Sequence, residues 1–160
     1  MSSGRAFTNR RVNMKANIYF LIVGILSILF SFTHAWNGYS NFLPLIDAGY
    51  FEISTKTTFF YVWHVITVEN FIFGIAFFVM AFYKDPTKVT FAAWTITFIL
   101  IARWGIIFGG TLLKDIYNIS NILIDSIAIM IYVGLIILGI RKIKRLPINA
   151  LLKKNASTDN

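Results

Sequence analysis

The sequence predicts an all-α integral membrane protein, a four-helix transmembrane bundle with both termini in the cytoplasm. Composition, four long apolar runs and an uneven distribution of basic residues support this prediction. Of the 160 residues, 57% are hydrophobic and 14% are charged, and the mean hydropathy is +0.68, whereas a soluble domain has about 25% charged residues. Cysteine is absent, which excludes disulfides, thiolate metal sites and cysteine nucleophiles.

The apolar runs define the membrane spans. Each run has about the 20 residues that a helix needs to cross the hydrocarbon core, where backbone groups must be satisfied within the segment. The predicted helices cover residues 18–36, 58–82, 89–110 and 119–140. Together they form a transmembrane domain over 18–140, between a basic N-terminal segment, 1–17, and a basic tail, 141–160. The short connections 83–88 and 111–118 make neighbouring helices antiparallel.

Two peripheral segments mix apolar and polar residues. The longest connection, 37–56, alternates large apolar side chains with Pro44, Asp47 and Glu52. We expect it to rest in the outer headgroup layer, or to cover a site that opens outward. The tail, 141–160, combines leucines with lysines, which is typical of a short amphipathic piece on the inner leaflet.

The basic residues predict the orientation of the spans. Only Lys56 and Lys114 fall on one side of the predicted bundle, and Arg103 lies within the third span. The other twelve share the opposite side: Arg5, Arg10, Arg11, Lys15, Lys84, Lys88, Arg141, Lys142, Lys144, Arg145, Lys153 and Lys154. The positive-inside rule therefore puts both termini in the cytoplasm, with the protein in the inner (cytoplasmic) membrane of the cell.

The same distribution bears on two other interpretations. The net charge of +8 does not indicate a nucleic-acid partner, because the basic residues concentrate at the chain ends. The basic start, the apolar stretch after it and Thr33-His34-Ala35 also resemble a signal peptide with its cleavage site. Cleavage there would leave three spans.

Five ionisable residues lie within the predicted spans, where they are costly and are functional candidates by default. They are His34, His64, Glu69, Arg103 and Asp125. With a rise of about 1.5 Å per residue, all five lie in the outer half of the bilayer or near its midplane. This common depth indicates a shared polar site.

Helical periodicity places polar residues on common faces. One face of the first helix carries Gly24, Ser27, Ser31 and His34, and one face of the fourth carries Asn118, Asn121, Asp125 and Tyr132. On the second helix Glu69 points away from the arc that contains Trp63, His64, Thr67, Asn70 and Gly74. We expect Glu69 to pair with Arg103, because a lone carboxylate and a lone guanidinium in hydrocarbon attract each other. The small residues Ala102, Gly105 and Gly109 predict a close helix contact.

These patterns predict a pocket for an amphipathic ligand, a quinone or a lipid headgroup. Its predicted lining is His64, Asn70, Trp104, Asn121, Asp125 and Tyr132, with Glu69 and Arg103 as its floor and His34 and Trp63 as secondary residues. No metal site is expected. The structural alternative is that the polar residues only pack helices together, that the ion pair sets helix register and that the tryptophans form an interfacial belt.

Other functions fit some of the same residues. His34 and His64 could ligate one b-type haem, although no cofactor is otherwise expected. Glu69 could drive proton-coupled transport, and in architecture the chain resembles the small multidrug-resistance transporters, although its carboxylate lies in the second span and its charge bias specifies a single orientation. His64, Glu69 and Asp125 could also act as acid and base on a lipid-like substrate.

The sequence favours a binding or accessory protein over an enzyme. It contains no HExxH, P-loop or GxSxG motif. In gross plan it resembles small four-helix membrane proteins of the DoxX-like type, with no motif that matches residue by residue. The expected partners are the lipid bilayer, a small amphipathic ligand and a second membrane protein.

Overall fold

The computed structural model describes residues 16–156, with side chains as far as residue 143 except at 118 and 121. This part of the chain is helical apart from short connections. The helices are α1 (Ile18–Asn37), α2 (Leu43–Ala48), α3 (Ile53–Phe82), α4 (Pro86–Lys114) and α5 (Ile119–Ala156). A π-helical turn, Gly38–Phe42, joins α1 to α2, and a 3-10 turn, Ile116–Asn118, precedes α5.

Four segments are long and apolar enough to cross a membrane, as predicted. They are Ile18–Ala48, Ile53–Phe82, Pro86–Lys114 and Ile122–Ile143. Their outward surfaces are apolar, with side chains such as Ile106 and Met130 at least 70% exposed. A soluble monomer rarely exposes an apolar surface this extensive. The fold is therefore that of a multi-pass, all-helical membrane protein.

The long connection between the first two spans is mostly helical, which the apolar pattern did not predict. The π-helical turn lets α1 continue into α2, whose first turn contains Pro44, a favourable position because proline there lacks only an unpaired N–H. An extended link, 49–52, leads to Ile53, where α3 begins five residues before the predicted start. Polar residues can extend a helix beyond its apolar run, so hydropathy underestimates helix length at this end.

The other helices also extend past their predicted limits. Asp85 caps α4, since its Oδ1 accepts hydrogen bonds from the backbone N–H groups of Thr87 (3.0 Å) and Lys88 (3.2 Å), and Pro86 follows as the first helical residue. At the other end of the chain, α5 continues to Ala156, so the helix includes most of the predicted tail. The segment 1–15 lies outside the described residues.

The closest helix pair is α1 with α3. Gly24 and Gly74 face each other there: a Cβ atom on Gly24 would lie 3.0 Å from the carbonyl oxygen of Gly74 and 2.9 Å from the amide nitrogen of Phe78. Glycine is required because these neighbours are backbone atoms. α1 also packs on α5, and α5 packs on α4, whereas α3 and α4 touch only sparsely.

The buried core lies toward one end of the bundle. It includes Phe20, Val23, Phe77, Ala81, Val89, Ala93, Ile136 and Ile140. Asn17, just before α1, links this helix to α3 and α5 at the same end. Its backbone N–H donates to the carbonyl oxygen of Ala81 (2.8 Å), and its Nδ2 donates to the carbonyl oxygen of Gly139 (2.9 Å). The opposite end, near the π-helical turn, carries His34, Trp63 and His64.

Candidate functional site

An ion pair joins α3 to α4, two helices that otherwise touch only sparsely. Nη1 of Arg103 donates to Oε2 of Glu69 at 2.8 Å, and Nη2 donates to Oδ1 of Asn70 at 3.0 Å. The two charged side chains are 24% and 28% exposed, and Asn70 is buried. The predicted pairing of Glu69 with Arg103 is confirmed, and Asn70 belongs to the same cluster.

Glu69 also lines an open groove along α3. The groove has a volume of about 750 Å³ and a predominantly apolar wall. Besides Glu69, its lining consists of Tyr39, Phe60, Tyr61, His64, Val65, Val68, Ile72 and Phe73. This volume lies within the range of about 300–1,000 Å³ that small-molecule sites occupy. The groove therefore combines an apolar wall with a carboxylate and an imidazole.

His64 is held at this groove by aromatic neighbours. Its ring centroid lies 4.4 Å from that of Phe60 and 5.4 Å from that of Tyr39. Its Nε2 atom is buried and has no hydrogen-bond partner among the described residues. Leaving a buried nitrogen unpaired costs about 1–3 kcal/mol. Because His64 also lines the groove, its imidazole is a candidate to meet a ligand.

His34 and Trp63 form a separate cluster between α1 and α3. The indole of Trp63 is stacked between the ring of His34 (centroids 4.3 Å apart) and that of Phe42 (4.5 Å). Its Nε1 donates to the carbonyl oxygen of His34 at 3.0 Å. Gly38 lies against the same indole, and a Cβ atom at this position would collide with it. This cluster fixes the start of the π-helical turn.

Thr67 connects this cluster to Ser31. The hydroxyl of Ser31 donates to the backbone oxygen of Thr67 at 2.8 Å, and Nδ1 of His34 lies 2.9 Å from Oγ1 of Thr67. Since Oγ1 of Thr67 donates to the backbone oxygen of Trp63 at 3.2 Å, it accepts from Nδ1–H of His34.

Trp104 and Tyr132, predicted for the pocket, instead join other helix pairs. Nε1 of Trp104 donates to Oγ of Ser126 at 2.8 Å and so links α4 to α5. The hydroxyl of Tyr132 is hydrogen-bonded to that of Ser27 and links α5 to α1. Both residues hold the bundle together rather than line the groove.

The structure does not bring Asp125 to the groove. Asp125 is exposed, because the adjacent residue, Ser126, is the one that faces α4 and accepts from Trp104, and successive helical residues point about 100° apart. The side chain of Asn121 lies outside the described residues. The predicted small-residue face is open as well: Cβ atoms on Gly105 and Gly109 would meet nothing within 4 Å.

The groove also includes residues that the sequence did not single out. Tyr39 comes from the connection between spans, and Tyr61, Val65, Val68 and Ile72 share one face of α3 at spacings of three and four residues. That periodicity was available in the sequence, but it looks the same as an ordinary lipid-facing stripe.

The described residues contain no group of three or more metal-ligating side chains. Chemically, the groove can hold an apolar body while Glu69 and His64 offer hydrogen bonds to a polar end. Comparison with protein-family models, curated proteins and solved structures finds no match for this chain.

Proposed function

We propose that this protein binds an amphipathic small molecule, such as a quinone or a lipid with a compact headgroup, in the groove along α3. In this proposal the polar end of the ligand meets His64 and Glu69, and its apolar body lies along Val65, Val68 and Ile72. The observation that carries the proposal is that His64 and Glu69 line one open, apolar groove, while Nε2 of His64 has no partner among the described residues.

The ion pair suits a binding site better than a proton-coupled transport site. The guanidinium of Arg103 donates both to the carboxylate of Glu69 and to the amide oxygen of Asn70. These two hydrogen bonds hold the carboxylate in one geometry, which favours a fixed recognition group. A transport carboxylate must instead release and take up a proton during each cycle. We therefore assign Glu69 to ligand recognition.

The proposed location is the cell membrane, with the groove in the outer half of the bilayer. Twelve of the fifteen Lys and Arg residues support this orientation through the positive-inside rule. Both termini then lie in the cytoplasm, and the ligand reaches the groove from the outer leaflet.

Analysis of bound small molecules tests the proposal. The full chain, a His64→Phe variant and a His34→Phe variant are purified from the same membranes in mild detergent, and solvent extracts are compared by mass spectrometry. His34→Phe is the matched control, because it removes the other imidazole of the chain outside the groove. We expect one amphiphile to be enriched with wild type and with His34→Phe and to be clearly reduced with His64→Phe. Identical profiles for all three proteins would refute the proposal.

A further inference from the structure

The polar wall of the groove restricts the charge of the ligand that it accepts. Glu69, whose carboxylate Arg103 neutralises, forms part of the groove lining. The guanidinium of Arg103 approaches this carboxylate while it also donates to Asn70. A ligand in the groove therefore meets an acceptor oxygen of a pair with no net charge.

An anionic headgroup at this position would be unfavourable. It would add a second negative charge beside Glu69, in surroundings of low polarity where charges interact strongly. A cationic headgroup would compete with Arg103 for the same carboxylate and would leave the guanidinium of Arg103 without its counter-charge. Either charged headgroup would therefore lose its hydration on entering the groove without gaining a complete ion pair.

A neutral hydroxyl group fits the available atoms. An ionised carboxylate only accepts hydrogen bonds, so Glu69 requires a donor from the ligand. The imidazole of His64 lines the same groove and can bond a second polar atom of the headgroup. The rings of Phe60 and Tyr39 beside His64 leave an apolar surrounding for the rest of the headgroup.

We propose that the groove selects neutral amphiphiles whose polar end carries a hydroxyl group, and that it discriminates against charged amphiphiles with the same apolar chains. This selection rests on the proposed binding function and narrows its ligand class. Glu69 and His64 are its specificity-determining residues, and Arg103 keeps the site electrically neutral.

Three lipids with identical chains test the selection: dioleoylglycerol, dioleoyl phosphatidic acid and a dioleoyl trimethylammonium lipid. Each is titrated against the full chain in detergent micelles, and bound adducts are quantified by native mass spectrometry. We expect dioleoylglycerol to bind wild type most tightly. His64→Phe loses one hydrogen bond and should weaken dioleoylglycerol binding by about 2–10-fold, whereas His34→Phe should leave it unchanged.

The Glu69→Gln variant should raise the affinity for an anionic lipid instead of lowering it. It keeps the size of the side chain but leaves the positive charge of Arg103 uncompensated, so phosphatidic acid should bind this variant more tightly than wild type. Near-UV circular dichroism checks that each variant is folded, and the wild-type comparison of the three lipids stands without any variant.

The outcomes separate the two proposals. If none of the three lipids binds wild type, both the binding function and the selection are refuted for lipids of this class. If phosphatidic acid or the ammonium lipid binds wild type as tightly as dioleoylglycerol, the selection for neutral headgroups is wrong while the binding function stands. Unchanged phosphatidic acid binding in Glu69→Gln would also overturn the selection.

Discussion

Replacement of Gly24 by alanine should separate α1 from α3. The added Cβ would lie 2.9 Å from the amide nitrogen of Phe78 and 3.0 Å from the carbonyl oxygen of Gly74. Both atoms belong to the backbone of α3, so no side-chain rotation relieves the contact. Gly105 provides a matched control, because it also lies inside a long helix and its Cβ would meet nothing within 4 Å.

The expected magnitude follows from two opposing terms. Alanine is more favourable than glycine inside a helix by about 1 kcal/mol, and this gain is common to both variants. Overpacking costs about 1–3 kcal/mol and applies only to Gly24→Ala. The free energies of unfolding of the two variants should therefore differ by about 1–3 kcal/mol, with Gly105→Ala equal to or above wild type.

Reversible unfolding in mixed micelles measures this difference. Each variant is titrated with sodium dodecyl sulfate, and helix loss and tryptophan fluorescence are followed together. The midpoint for Gly24→Ala should fall below that for Gly105→Ala. Indistinguishable midpoints would refute the close α1–α3 contact as a determinant of the fold.

Two further predictions concern the ion pair and the orientation. In a double-mutant cycle of Glu69→Gln and Arg103→Gln, the losses of stability in the two single variants should add up to more than the loss in the double variant. The difference, which is the coupling free energy, should be roughly 0.5–3 kcal/mol. A coupling of zero in unfolding titrations would show that the two side chains do not stabilise each other. The chain has no cysteine, so a single introduced cysteine can be labelled selectively. An impermeant maleimide applied to intact cells should label Tyr50→Cys, whereas Tyr83→Cys should react only after permeabilisation. The reverse result would contradict the proposed orientation. Both tyrosines are exposed, and neither replacement alters the charge distribution.

The sequence was sufficient to predict the helices and one interhelical contact. Apolar runs locate the four spans because hydrocarbon requires about 20 residues of helix for each crossing. Glu69 and Arg103 could be paired because an isolated carboxylate and an isolated guanidinium in such spans each need a counter-charge. The structure confirms this contact at 2.8 Å.

The arrangement of the helices could not be predicted in the same way. Small residues mark the faces where helices can approach each other. Cβ atoms on Gly24 and Gly74 would meet the backbone of a neighbouring helix, whereas Cβ atoms on Gly105 and Gly109 would meet nothing within 4 Å. Local periodicity does not choose between these outcomes, because the choice depends on which helices become neighbours. In the same way, a rotation of α5 by the angle between two successive residues decides whether Asp125 or Ser126 faces α4, and this rotation depends on how α5 packs against its neighbours.

The uneven packing of the bundle explains why the site lies where it does. Side chains such as Phe77 and Ile136 are fully buried near the end that Asn17 fastens, and this end stabilises the fold. By contrast, α3 and α4 touch only sparsely, and the long side chain of Arg103 reaches from one to the other to meet Glu69. Burial at one end allows a less tightly packed, partly polar surface at the other, since functional regions are drawn from the less stable parts of a structure. A ligand bound along α3 would then occupy a surface that the core does not need.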